Sequence, residues 1–202
     1  MHFSPSLLLL VGALDCCVAA LVMRALTLNH TGGGCPDQKR ISIGGSVASG
    51  TLSQSLPDFS IDVENYSEQY TSLCTAYLNI TFTEPGHLID LNTDAGVMSG
   101  WLYKNSDSWD THLKITYEWV GQAGQSSIDE DMNGRFRGKF ENRPIGVKNN
   151  TASVLSACGG GILKAVYRLK MNVPHSPQPE PGIELPLGSA WYFTTPMKIS
   201  SC

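Results

Sequence analysis

The sequence predicts an all-β protein, an antiparallel β-sandwich or jelly-roll-like fold with two disulfides. Three observations favour this class. Apolar and polar residues alternate with a period of two in several runs, tight-turn residues separate those runs, and isolated cysteines follow an N-terminal apolar segment. The chain has 202 residues, which is enough for one domain with its own core.

The N-terminal apolar segment, residues 1–20, is expected to be a signal peptide. Val18-Ala19-Ala20 provides the small residues that signal peptidase accepts. A membrane anchor is the weaker interpretation, because Asp15 interrupts a stretch that is already short for a bilayer span. We therefore expect a secreted, extracellular protein that comprises residues 21–202 as a single domain, with no membrane span in the mature chain.

The remaining cysteines predict two disulfides. Removing residues 1–20 leaves Cys35, Cys74, Cys158 and Cys202. An even number in a secreted chain is typical of a disulfide framework. Zinc is disfavoured because no C-x-x-C pair is present. The spacing leaves open which of the three connectivities forms.

Four N-x-S/T sequons also fit the secretory route, and each is a candidate glycosylation site. They begin at Asn29, Asn65, Asn79 and Asn149. Asn79 belongs to the polar half of an alternating run, so a glycan there would point away from the core.

Three runs with clear alternation predict strands over residues 73–82, 113–119 and 163–173. Each has one apolar and one polar face, as in an antiparallel sheet that is wetted on one side. The apolar faces predict a core that contains Ala76, Leu78, Ile80, Ile115, Tyr117, Leu163, Ala165, Tyr167 and Leu169. Shorter alternations predict further strands beginning at Ile41, Phe59 and Trp191.

Turn residues separate these strands. Asn133-Gly134 predicts a β-hairpin that leads into a strand in which Phe136 and Phe140 share a face. Residues 174–186 are rich in proline and are expected to form an extended surface loop within the domain. The last residues, 188–202, are predicted to form a final strand. We expect the protein to be a monomer.

Short motifs around the cysteines resemble a known family. They are the segment 31–36 (TGGGCP), Leu73-Cys74-Thr75, Asp94-Ala95-Gly96-Val97, Ser156-Ala157-Cys158-Gly159 and the terminal Cys202. Their order resembles the small secreted fungal family labelled domain of unknown function 4360, over residues 32–202. The resemblance implies that Cys35 pairs with Cys74 and Cys158 with Cys202, and that the source is a filamentous fungus. It implies no established activity and supplies no catalytic residues.

Charge and spacing argue against several classes of partner and cofactor. The chain has 14 Lys+Arg and 18 Asp+Glu, a formal net charge of -4, whereas nucleic-acid-binding domains carry a basic patch. Gly159-Gly160-Gly161 lacks the Gly-Lys-Ser/Thr of a phosphate loop. The histidines after residue 20 lack the spacing of a metal site: His30, His87, His112 and His175. We predict no cofactor and no nucleic-acid partner.

Residues 129–134 match the first half of a calcium-loop pattern. Asp129, Asp131 and Asn133 would supply oxygen ligands at alternate positions. The second half departs from the pattern, because Phe140 stands where a bidentate Glu is expected. We therefore favour an acidic hairpin turn at Asn133-Gly134 over a calcium site.

A small secreted hydrolase acting on polysaccharide is the alternative function. A glycosidase needs two positioned carboxylates, and Asp107, Asp110 and Glu118 are the candidates. The segment 44–48 (GGSVA) approaches the G-x-S-x-G elbow of serine hydrolases, but it ends in Ala48 and no helical pattern follows it. A cleft that gathers these carboxylates with a histidine would favour the hydrolase.

Aromatic residues near a polar loop indicate glycan binding instead. Trp101, Tyr103 and Trp109 are the candidate binding surface, because aromatic rings offer large, rigid contact area at small entropic cost. We predict a non-catalytic extracellular protein that binds a cell-wall glycan or a host surface protein, in the manner of an effector.

Overall fold

The structure, a computed structural model, describes residues 21–36, 41–57, 59, 69–104, 109–134, 136–146, 153–173 and 190–202. Several predictions lie outside these residues: the signal peptide over 1–20, the sequons at Asn65 and Asn149, the carboxylate of Asp107 and the loop 174–186. The described part of the chain contains no helix that is long and apolar enough to cross a membrane.

Twelve strands account for most of the described residues. They are β1 Met23–Thr31, β2 Ser42–Ser46, β3 Thr51–Pro57, β4 Gln69–Phe82, β5 His87–Leu91, β6 Gly96–Lys104, β7 Asp110–Trp119, β8 Ser126–Asp131, β9 Phe136–Ile145, β10 Val154–Leu155, β11 Gly160–Asn172 and β12 Ala190–Ser201. The strands predicted over 73–82 and 113–119 are the C-terminal parts of β4 and β7, and the strand predicted over 163–173 lies within β11 except for its last residue. The predicted last strand is β12.

The strands form two antiparallel sheets. The first sheet has the order β1-β4-β11-β7-β8. In the second sheet the order is β10-β5-β12-β3-β2, and β6 joins it by pairing with β12 on one side and β9 on the other. Strand β12 serves two groups of partners, because its first half pairs with β3 and β6 and its second half with β5. The prediction of an all-β antiparallel fold is confirmed.

The core lies between the two sheets. All nine predicted core residues are fully buried. Rings from both sheets meet there: the centroids of Tyr167 on β11 and Phe193 on β12 are 5.0 Å apart, and those of Phe59 and Trp191 are 5.6 Å apart. Such contacts between rings add to the area-based burial energy. The two sheets therefore form a sandwich around an aromatic cluster.

Both disulfides have the pairing that the family resemblance implied. Cys35 bonds to Cys74 and Cys158 bonds to Cys202, with Cα–Cα distances of 5.2 and 6.0 Å. Cys35 and Cys74 are buried, and Cys158 and Cys202 are exposed. The second bond fixes the end of β12 to the loop between β10 and β11.

The prediction of a hairpin at Asn133-Gly134 is wrong. Strand β8 pairs with β7, and strand β9 pairs with β6, so Asn133-Gly134 lies where the chain passes from the first sheet to the second. Gly134 has the positive φ that suits such a turn, but the flanking strands are not partners. The hairpin is formed by β7 and β8 around residues 120–125.

The sequence did not predict strand β3, which ends before Phe59. Phe59 follows it as a buried core residue, and the strand expected from Phe59 continues into residues 60–63, which lie outside the described residues. Strand β1 was not predicted, because its register with β4 shifts between Thr27 and Asn29. A β-bulge of this kind breaks the period of two on which strand prediction depends.

A buried hydroxyl pair gives the core a pH dependence. The hydroxyls of Tyr117 and Thr195 are 2.7 Å apart, and burial raises the pKa of Tyr117 to about 12. Burial also raises the pKa of Tyr167 well above its usual value. Folding therefore favours the protonated form of both tyrosine hydroxyls. Their contribution to stability is complete below the pKa that they have in the unfolded chain, and it is lost as the pH rises towards the pKa that they have in the folded protein.

We therefore expect the free energy of unfolding to fall by about 2 kcal/mol for Tyr117 alone between about pH 9 and pH 12. Urea unfolding followed at several alkaline pH values measures this. The variant with Tyr117→Phe and Tyr167→Phe should show a flatter pH profile, because neither ring can ionise. An equally steep decline in that variant would assign the alkaline loss to other groups.

Candidate functional site

Trp101 and Trp109, two of the three aromatic residues that the sequence singled out, lie in different environments, and the side chain of Tyr103 lies outside the described part of the structure. Trp101 is half-buried and faces outwards from β6, in step with Val97 and Ser99. Tyr103 is two residues further along β6, opposite Arg137 of β9 in the register of the two strands. Trp109 belongs to the hydrophobic core and is only 9% exposed.

The burial of Trp109 corrects the predicted binding surface. Trp109 directly precedes β7, and it is in step with Thr111 and Leu113, whose side chains point into the sandwich. Its ring is therefore not available to a ligand in solution. The sequence placed Trp109 near a polar loop, but the strand that follows decides which way the ring points.

Tyr192 is an exposed aromatic residue that the sequence analysis did not select. Its side chain is 55% exposed, whereas its neighbours Trp191 and Phe193 are buried. It lies opposite Ser99 of β6 on one side and Ser55 of β3 on the other. The alternation of Trp191 and Phe193 was the available signal, because two inward residues require the residue between them to face out.

Trp101 and Tyr192 belong to the same outer surface. Ser99 is the direct partner of Tyr192, and Trp101 is two residues from Ser99 on the same face. This places Trp101 diagonally across from Tyr192, a separation of about 7–8 Å that long aromatic side chains can bridge. We call this surface the Tyr192 face and define it by six residues: Ser55, Ser99, Trp101, Lys139, Glu141 and Tyr192.

A β-bulge and a glycine hold β6 close to the core under this face. The register of β6 with β9 shifts between Met98 and Gly100. A Cβ atom on Gly100 would lie 2.9 Å from Cδ2 of the Trp191 ring, so only glycine lets the strand approach this closely. At the bulge, the N–H of Asn142 donates to the Ser99 hydroxyl at 2.9 Å. The backbone that carries Ser99 and Trp101 is therefore fixed from both sides.

An ion pair completes the Tyr192 face. Lys139 lies opposite Trp101 in the register of β6 and β9, and its ammonium contacts the Glu141 carboxylate. The hydrogen bond and the charge of Glu141 raise the pKa of Lys139, with a further contribution from Tyr192. The same hydrogen bond lowers the pKa of Glu141. Both groups are charged at neutral pH, and together they add no net charge to the face.

The calcium-loop interpretation does not fit the structure. Asp129 and Asp131 lie on β8, an extended strand, where alternate side chains form a line instead of wrapping around an ion. His112 of β7 contacts both carboxylates, through Nε2 to Asp129 and through Nδ1 to Asp131 at 2.8 Å. Asn133 lies beyond the strand. No group of three or more His, Cys, Asp or Glu side chains among the described residues could hold a metal ion.

The described hydrolase candidates do not converge. Asp110 and Glu118 lie at opposite ends of β7, about 26 Å apart for eight residues of extended chain. Paired glycosidase carboxylates are separated by about 5–9.5 Å. Glu118 forms an ion pair with Lys164, with Oε2 and Nζ 3.2 Å apart.

The segment 44–48 does not form the nucleophile elbow of a serine hydrolase. The hydroxyl of Ser46 accepts a hydrogen bond from the N–H of Ser49 in the turn after β2. Strand β3 follows that turn, whereas a nucleophile elbow is followed by a helix.

Comparisons with known proteins give little further guidance. No family model matches the chain, and no curated protein matches it. Among solved structures, the chain is similar to TmCBM61, determined in complex with β-1,4-galactotriose, with a TM-score of 0.23 and 8% sequence identity. The similarity covers 89% of this chain and 88% of that chain. A TM-score this low gives no ground for transferring a ligand to this chain.

Proposed function

We propose that the protein is a secreted, non-catalytic extracellular protein that binds a neutral glycan through the Tyr192 face. The observation that supports this most directly is the exposed ring of Tyr192 beside Trp101, on a sheet whose backbone is fixed by the Gly100 contact and the bulge. Rings held on strands are pre-organised, so little conformational entropy is lost when a ligand stacks on them.

The surroundings of Tyr192 favour a sugar over a protein partner. The outward positions beside it carry the hydroxyls of Ser55 and Ser99, which can donate and accept hydrogen bonds. The centre of a protein–protein interface concentrates several large apolar or aromatic side chains in a desolvated patch. A host surface protein therefore fits this face less well than a glycan, whose hydroxyls can bond to the serines while its C–H groups contact the rings.

The charge of the face favours a neutral polymer. Lys139 and Glu141 neutralise each other, so the face has no excess positive charge to attract an anionic polysaccharide. Insoluble chitin, β-glucan and cellulose are neutral polymers with hydroxyl groups and are the appropriate probes. Secretion and a fungal source remain proposals, which rest on residues 1–20, the sequons and the family resemblance.

We expect the wild type to bind at least one of these polymers. For that polymer, Tyr192→Ala and Trp101→Ala should each lower the affinity by about tenfold or more, since central aromatic residues commonly contribute above about 1–2 kcal/mol. Co-sedimentation with the three polymers measures this. Tyr77→Ala is the matched control, because Tyr77 faces outwards from the first sheet and its loss should leave binding unchanged.

A wild-type protein that binds none of the three polymers, or binding that survives both substitutions, would contradict the proposal. A reducing-sugar assay on the same samples tests the hydrolase alternative. Release of sugar by the wild type but not by Asp107→Ala or Glu118→Ala would replace the binding function with catalysis.

A further inference from the structure

The outer face of the first sheet carries a short row of exposed apolar side chains. Leu26 on β1 is 63% exposed, Ile162 on β11 is 37% exposed, and Val120, directly after β7, is 51% exposed. The N–H of Val120 donates to the carbonyl of Ile162 at 2.9 Å, which places the two residues side by side. We call these three residues the apolar row. Contiguous apolar groups on the surfaces of soluble proteins can mark an area that is covered by a partner.

Asn79 stands within this row. It lies on β4, directly opposite Leu26 of β1 on one side and Ile162 of β11 on the other. Neighbouring strands are about 4.8 Å apart, so a group attached to the Asn79 side chain begins between the two apolar residues. Asn79-Ile80-Thr81 is a sequon.

We propose that Asn79 carries an N-linked glycan whose first sugars lie over Leu26 and Ile162 and cover the apolar row. The proposal rests on the secretory route that the proposed function includes. In the transfer, the Asn79 amide nitrogen loses a proton and bonds to C1 of the first N-acetylglucosamine, while the bond from C1 to the pyrophosphate of a lipid-linked oligosaccharide breaks. The C–H face of that sugar then contacts the leucine and isoleucine methyl groups, which removes apolar area from water.

The neighbouring sequon at Asn29 has different surroundings. Asn29 lies opposite Tyr77, and the same line across the sheet continues to Lys164 and Glu118. A glycan at Asn29 would therefore lie over the Tyr77 ring and these charged groups, and not over the apolar row. This difference makes Asn29 a control for the covering of the apolar row.

The test compares variants secreted from a glycosylating host. Peptide mapping by mass spectrometry should find the glycan on the Asn79 peptide of the wild type. Asn79→Gln and Thr81→Ala, which both destroy the sequon, should raise the fluorescence of a dye that binds apolar surface several-fold. Thr81→Ser keeps the Asn79 sequon, and Asn29→Gln removes only the sequon at Asn29. Both variants should give the same fluorescence as the wild type. Adding Leu26→Thr and Ile162→Thr to Asn79→Gln should restore the low signal.

Four results would overturn the proposal. A secreted wild type with unmodified Asn79 would overturn this proposal alone. If Asn79→Gln and Thr81→Ala both give the fluorescence of the wild type, the glycan does not cover the apolar row. If the wild type is a dimer and Leu26→Thr dissociates it, the apolar row contacts a second copy of the chain instead. A chain that stays inside the cell with residues 1–20 attached would overturn the secretory part of the proposed function as well.

Discussion

Replacing Trp191 by alanine is expected to lower the free energy of unfolding by about 3–5 kcal/mol, the usual cost of emptying a buried tryptophan or phenylalanine site. Trp191 is 1% exposed. Its ring packs against three phenylalanines, with centroid distances of 5.6 Å to Phe59, 5.2 Å to Phe140 and 6.1 Å to Phe193. Phe140 is held by β9, Phe193 by β12 itself and Phe59 by the segment after β3, so the cavity cannot close by a local shift of one element.

Tyr192→Ala is the matched control for this prediction. Tyr192 is the next residue on the same strand, but its side chain points to solvent, and surface substitutions usually change stability by less than about 0.5 kcal/mol. Urea unfolding of the two variants measures the difference. The pair should separate stability from binding, with Trp191→Ala destabilised and Tyr192→Ala stable but weaker in glycan binding. Equal unfolding free energies for the two variants would contradict the placement of these rings.

Removing the Cys35–Cys74 disulfide with alanine at both positions should lower the free energy of unfolding by about 4 kcal/mol. The two cysteines are 39 residues apart in the sequence, and cross-linking a loop of this length restricts the unfolded chain. The Cys158–Cys202 bond has a separation of 44 residues, so the same reasoning gives it a similar contribution. Thermal or urea unfolding of each double variant measures both.

The two disulfides should differ in reactivity, because reduction requires a thiolate to reach a sulfur atom. Cys158 and Cys202 are exposed, and Cys35 and Cys74 are buried. Under mild reduction of the folded protein, thiol labelling followed by peptide mapping should find Cys158 and Cys202 modified first. Earlier labelling of Cys35 and Cys74 would mean that the region around them opens more readily than the C-terminal end of β12.

The two proposals assign different tasks to the two sheets. The Tyr192 face lies on the outside of the second sheet, and Asn79 with the apolar row lies on the outside of the first. A glycan at Asn79 would therefore be separated from the binding face by the thickness of the sandwich, about 10 Å between the sheets. Occupied sequons on the first sheet would leave the Tyr192 face open to a polymer.

The sequence by itself determined the fold class and the core. Side chains alternate across any strand, so the positions of Leu78, Tyr117 and Leu163 within their runs were sufficient to turn them inwards. The same rule placed Asn79 on an outer face. The cysteine spacing predicted two disulfides but left the pairing open, and only the family resemblance supplied it. These properties follow from the sequence because each depends on a single run of residues or on a count.

Only the tertiary structure decided which strands are neighbours and which faces are covered. Strands β8 and β9 lie in different sheets, and His112 lies beside Asp129 and Asp131. Trp109 is buried, and Tyr192 lies beside Trp101 although the two are distant in the sequence. Alternation fixes the two faces of a strand, but it contains no information about the partner strand. That choice depends on pairing between distant parts of the chain, and the candidate site is formed by such pairing.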